Sequence, residues 1–151
     1  MKKLLTMLSF GLGVVLYALF ENNPDVFGSN PELSNYDDGR IASALQNKQS
    51  DVQVGGSGVV IRILPDDTSG SQHQKFILKL SSGQTILVAH NVDLAPRIND
   101  LREGDTVEFY GEYEWNSQGG VVHWTHLDPR GHHEHGWLKH NGASISNRIT
   151  L

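Results

Sequence analysis

The chain reads as a mainly β protein: a small Greek-key barrel of five to six strands behind an N-terminal hydrophobic helix. Three observations predict this. From Asp51 onward, apolar and polar residues alternate with the period of two that gives a strand one buried face. Gly55, Gly56 and Gly58 interrupt the first alternating run, where a barrel strand has to bend. The stretch from Leu4 to Phe20 carries no charge and is apolar all round, which sets it apart from the alternating region.

Residues 1–20 read as a signal peptide or signal anchor. Lys2 and Lys3 form a positive start, and the apolar run follows at once, as in an exported protein. Two outcomes compete. Cleavage wants small residues before the cut, and Leu16-Tyr17-Ala18-Leu19-Phe20 is a poor match. An uncleaved helix from Leu4 to Phe20 would span about 25 Å at about 1.5 Å per residue, slightly short of a bilayer core of about 30 Å. The lysines before the run, with Glu21 and Asp25 beyond it, would orient such an anchor with the rest of the chain outside. The expected location is the periplasm, with the domain tethered to the inner membrane or released after cleavage.

Residues 21–50 form a polar spacer with Pro24 and Pro31, and Ile41 and Leu45 predict a short helix over 41–49. The β domain is expected over 51–142. Val52 and Val54 begin the first strand, and Val59, Ile61 and Ile63 continue it past the glycines. Pro65 to Gly70 is a loop. Phe76, Leu78 and Leu80 mark the second strand, and Ser82-Gly83 turns it into a third over Thr85–His90. Residues 91–103 are a connector with room for a helical turn. Gly104-Asp105 then launches a fourth strand, with Val107, Phe109, Gly111, Tyr113 and Trp115 on one face and Glu108, Tyr110, Glu112 and Glu114 on the other. Asn116 to Gly120 makes a hairpin loop into a fifth strand, expected over Val121–Leu127. A Gly/His-rich stretch and a last short strand over 136–140 follow, and 143–151 reads as a tail.

This arrangement resembles an OB-fold, and small bacterial periplasmic OB-fold proteins in particular, over about residues 52–127. A closer likeness lies in four blocks: HQKFILKLSSGQTILVAHNVDLAPRI, GDTVEFYGEYEWN, GGVVHWTH and DPRGHHEHGWLKHNG. They resemble an uncharacterised bacterial family, a domain of unknown function, over most of residues 52–142. The resemblance implies a shared fold and site and transfers no activity.

Composition bounds the function. The absence of cysteine excludes disulfides, thiolate metal sites, lipoprotein processing and cysteine nucleophiles. Net charge is −5, and leaving out Lys2 and Lys3 makes it −7. That argues against nonspecific DNA binding, which depends on Lys and Arg at phosphates. The sequence has no P-loop, nucleophile elbow or HExxH helix.

Of eight histidines, five fall between His123 and His135. Imidazole and carboxylate suit zinc or another divalent metal ion, so His126, Asp128, His132 and His135 are the candidate metal ligands. The competing expectation is a solvated His-rich loop. His90, Asn91, Asp93, Arg97, His123, Trp124 and Arg130 complete the candidate site, and His73 could join it from a neighbouring loop. Asp128-Pro129-Arg130-Gly131 is first of all turn chemistry. Among the aromatics, Tyr110, Tyr113, Trp115, Trp124 and Trp137 offer either packing or a stacking surface, with Trp115 and Trp124 placed for a cross-strand pair.

The sequence therefore supports an exported binding module of the cell envelope, for a small molecule, an oligosaccharide or single-stranded nucleic acid. Two alternatives use the histidines: a metal-dependent hydrolase or phosphodiesterase with Arg97 or Arg130 on phosphate, and a non-catalytic metal-binding protein. The membrane is a partner if the N-terminal segment is uncleaved.

Overall fold

One strand is long enough to belong to both sides of the barrel. In the computed structural model, which describes residues 38–67 and 69–145, β1 (Val52–Leu64) runs for 13 residues. Its first part, Val52 to Val59, pairs antiparallel with β4 (Thr106–Glu114). Its second part, Gly58 to Leu64, pairs antiparallel with β2 (His73–Leu80), with a register shift between Val60 and Arg62. The changeover needs glycine. A Cβ on Gly56 would stand 2.7 Å from the Phe109 ring, and one on Gly58 would stand 2.9 Å from the Lys79 carbonyl oxygen.

The rest of the barrel follows from that strand. β2 turns into β3 (Thr85–Asn91). β3 lies parallel to β5 (Val121–His123), and β5 pairs antiparallel with β4. The order β1-β2-β3-β5-β4 closes through β1–β4. This is the five-stranded closed barrel that the alternation predicts, and closure removes its sheet edges. Beyond it, β6 (Trp137–His140) takes the β4 edge at residues 107–110, while β5 takes it at 112–114. β7 (Ala143–Ile145) pairs back onto β6.

The inward positions build one core. Phe76, Leu78, Ile86, Val88, Phe109, Tyr113 and Val122 are fully buried, and Leu138 joins them from β6. Each such side chain contributes about 1.5–3 kcal/mol on burial. The helix α1 (Asp38–Gln46) adds Ile41 and Ala44 to the same cluster. No helix among the described residues is long and apolar enough to cross a membrane. The N-terminal hydrophobic helix expected over residues 1–20 lies outside the described residues.

Four details differ from the sequence expectation. The fifth strand ends at His123 rather than Leu127, because Trp124 adopts a positive φ of 54° that no strand continues through. Trp124 consequently stacks on His133, at 3.7 Å between ring centroids, and forms no pair with Trp115. The connector over 91–103 is built of turns without a helix. Pairing also runs on to Ile145, because Asn141-Gly142, with φ of 47° and 83°, makes a hairpin turn after β6.

Candidate functional site

The outward face of β3 and β5 is not open sheet. Two segments rise beside it: the connector after β3 and the loop that Trp124 turns away from β5. Between them lies a cleft of about 610 Å³. Ala89 and Asn91 on β3, His73 on β2 and His123 on β5 supply the strand side. Asp93 and Leu94 line it from the connector, and Trp124, His126, Asp128, Pro129 and Arg130 from the loop. The third strand and the histidine strip, separate in sequence, are thus the two sides of one cavity.

His90 lies beneath it and is fully buried. Its Nε2 faces the Pro96 carbonyl oxygen at 3.1 Å, which can only accept, so Nε2 carries the proton. Its Nδ1 then accepts from the Thr125 hydroxyl at 2.8 Å. One imidazole therefore ties the connector to the loop. Burial pushes its pKa down to about 4, against the bond to Pro96, which favours the charged form. His90 works as a neutral cross-link and is not on the cleft surface.

The loop is organised around Asp128. Its carboxylate accepts backbone N–H groups from Arg130 at 2.9 Å, His132 at 2.5 Å and His133 at 2.9 Å. Its own N–H donates to His135 Nδ1 at 3.1 Å. These bonds, the one from Arg130 first, hold the Asp128 carboxyl down at about 2. His126 donates from Nδ1 to the Leu127 carbonyl at 2.7 Å, which leaves Nε2 as the ring's free acceptor. Both oxygens of Asp128 are thus engaged in shaping the loop. His126, Asp128, His132 and His135 do not bring ligating atoms to one point.

Among the described residues, the group that does converge is Glu112, Glu114 and His123, whose ligating atoms lie within 4.8 Å of one another. Alternation places the two glutamates on the outer face of the fourth strand and by itself gives them no role. That alternation, combined with a His opposite, is the signal the sequence holds for this group. His133, a member of the histidine strip outside the expected metal ligands, stacks on Trp124 and reaches Glu112 Oε2 at 3.4 Å.

Other expected residues are engaged nearby. Asn91 Oδ1 accepts the Asp93 N–H, and Asp93 Oδ2 accepts the Gln72 N–H, each at 2.9 Å. His73 donates its N–H to Asp67 at 2.6 Å, and this backbone bond is the main reason the Asp67 carboxyl sits below its usual range. Arg97 pairs with Asp66 and does not line the cleft. Arg130 is exposed at the rim, and among the described residues its guanidinium pairs with no carboxylate.

The Asp128 network yields a direct expectation. Asp128→Ala removes the acceptor for three backbone donors, so the loop should lose its fold while the barrel persists. Melting temperature should fall by several degrees, and proteolysis should concentrate between residues 128 and 135. In the wild type, a carboxylate with a depressed pKa stabilises the loop fully above its unfolded value near 4. That contribution disappears as pH falls through about 2. An alanine variant with unchanged protease resistance would show that the carboxylate does not organise the loop.

Residues 25–146 match the model of a protein family described as "Protein of unknown function (DUF3465)". No curated protein is significantly similar to the chain.

Proposed function

The chain belongs to the DUF3465 family, whose description carries no activity, and from the geometry of its cleft we propose a binding module of the cell envelope that takes a small, hydroxyl-rich ligand such as a short saccharide. The observation that carries this reading is the convergence of β2, β3 with its connector, β5 and the Asp128 loop on one cleft. Its volume of about 610 Å³ suits a small molecule, since ligand pockets run from about 300 to 1,000 Å³.

The lining favours this ligand chemistry. The Asn91 amide, the free Nε2 of His126 and the Arg130 guanidinium offer donors and acceptors of both kinds. Leu94, Pro129 and Trp124 give apolar surface beside them. A sugar presents hydroxyls at its edge and C–H groups on its face, and needs both. Single-stranded nucleic acid needs a basic groove with free aromatic faces. Here Arg130 is the one Lys or Arg among the lining residues, Asp93 and Asp128 accompany it, and His133 covers one face of Trp124. The charged start and apolar run of residues 1–20 support export, tethered or released.

The test is a thermal-shift titration with neutral saccharides from mono- to tetrasaccharide, with an oligothymidylate alongside at low and moderate salt. A saccharide should raise the melting temperature of the wild type, and Asn91→Ala and Arg130→Ala should each remove the shift. Saccharides without effect up to millimolar concentration, or an oligonucleotide that binds with steep salt dependence, would refute the saccharide reading.

A further inference from the structure

We propose that Glu112, Glu114 and His123 form a binding site for a divalent first-row transition ion on the outer face of the β4–β5 ladder. The ladder itself sets the ligands. Glu112 stands directly opposite His123 in the register, and Glu114 follows two residues on, on the same face. All three are half-buried side chains on paired strands of the closed barrel, so their backbone positions are fixed before any ion arrives.

Three further observations point to a cation. The Nε2 of His123 is shielded from solvent and makes no hydrogen bond, although its ring is partly exposed. A shielded imidazole nitrogen whose one close neighbour is a carboxylate oxygen at the outer limit of an ion pair, with no hydrogen bond made, is poorly satisfied unless a ligand occupies its lone pair. It lies 3.5 Å from Glu114 Oε1. Two ligands bound tetrahedrally at about 2.1 Å from one ion stand about 3.4 Å apart. Finally, the two carboxylates have no Lys or Arg partner among the described residues; their ion-pair partners are His123 and His133. A divalent ion would neutralise both carboxylates at once.

Three protein ligands leave coordination positions open, as in reactive rather than purely structural metal sites. The site also shares His123 with the cleft. Through Glu112 it reaches His133, which stacks on Trp124. An ion that draws Glu112 inward should therefore register in the tryptophan emission. This inference does not depend on the saccharide reading, and either can fail alone.

The test uses the full chain, zinc and manganese as probes, and equilibrium dialysis followed by elemental analysis. A single ion per chain is expected for at least one of the two metals. Glu114→Gln and His123→Gln should each weaken binding by at least about tenfold, with far-UV circular dichroism confirming that the barrel is intact. The His132→Ala/His135→Ala double variant should bind like the wild type. The metal should change tryptophan emission in the wild type and not in Glu114→Gln. No stoichiometric binding of either metal would overturn the proposal. So would binding that survives His123→Gln, or binding lost in the His132/His135 variant, which would assign the ion to adventitious chelation by the loop.

Discussion

Gly136→Ala is expected to cost about 4 kcal/mol and to destroy the cleft, more than any other single-methyl change in the loop. A Cβ at Gly136 would overlap the Trp124 carbonyl oxygen and would stand 2.5 Å from that of Tyr110 and 2.9 Å from Thr125 Cα. All three are backbone atoms, so no rotamer change relieves them. Gly136 also donates its N–H to the His126 carbonyl at 2.9 Å, which closes the loop onto its own start. The next residue, Trp137, opens β6 against Tyr110 of β4. Room for the methyl group therefore requires the loop or β6 to leave the barrel. Gly131→Ala is the control. Gly131 has a positive φ of 68°, but an added methyl group would meet nothing within 4 Å, so its cost should stay near 1 kcal/mol. Urea unfolding of the two variants checks this. Equal midpoints would mean that the loop does not pack on β4 as described.

Acidification from about pH 6.5 to 4 is expected to remove about 3 kcal/mol of stability through His90 alone. The sign follows from the depressed pKa. The unfolded chain takes up a proton near 6.5, whereas the folded chain resists until about 4. The unfolded state therefore binds more protons across that interval, and stability falls with pH throughout it. Below about 4 the penalty is complete. Protonated Nδ1 can no longer accept from Thr125, so the connector and the loop lose their shared tie and the cleft should open before the barrel melts. Unfolding free energies across this interval measure the slope, and ligand affinity over the same range reports the cleft. His90→Leu should be less stable at neutral pH by about 2–3 kcal/mol, because Pro96 O and Thr125 Oγ1 lose their partner. It should also show a flatter acid slope. A wild type equally stable at both ends of the interval would contradict a buried neutral His90.

Much of the barrel is legible in the sequence because its signals are local. Phe76, Leu78 and Leu80, or Val107, Phe109 and Tyr113, declare a buried face by spacing alone, and the burial pattern follows that spacing. Gly56 and Gly58 announce the strand that serves two partners. Asn141-Gly142 is an equally local hairpin signal, and it is the one that leads into β7. Trp124 is different. Nothing in VVHWTH distinguishes a strand that continues from one that ends at a tryptophan with positive φ. That backbone conformation is imposed by what the loop packs against.

The site divides along the same line. From the sequence alone come the alternation, the absence of cysteine, the acidic balance, the turn chemistry of Asp128-Pro129-Arg130-Gly131 and the two stretches whose polar residues line the cleft. Only the tertiary structure decided which of those residues meet. The parallel pairing of β3 with β5 set Asn91 and His123 along one cavity. The antiparallel pairing of β4 with β5 set His123 against Glu112 and left the loop histidines dispersed around Asp128. Periodicity is a property of neighbours in the chain and can be read from them. Register belongs to strand pairs. Between β3 and β5, distant in the chain, it exists only once the barrel closes, and between β4 and β5 the hairpin loop sets it. Which residues meet therefore depends on pairings that periodicity within one strand does not give.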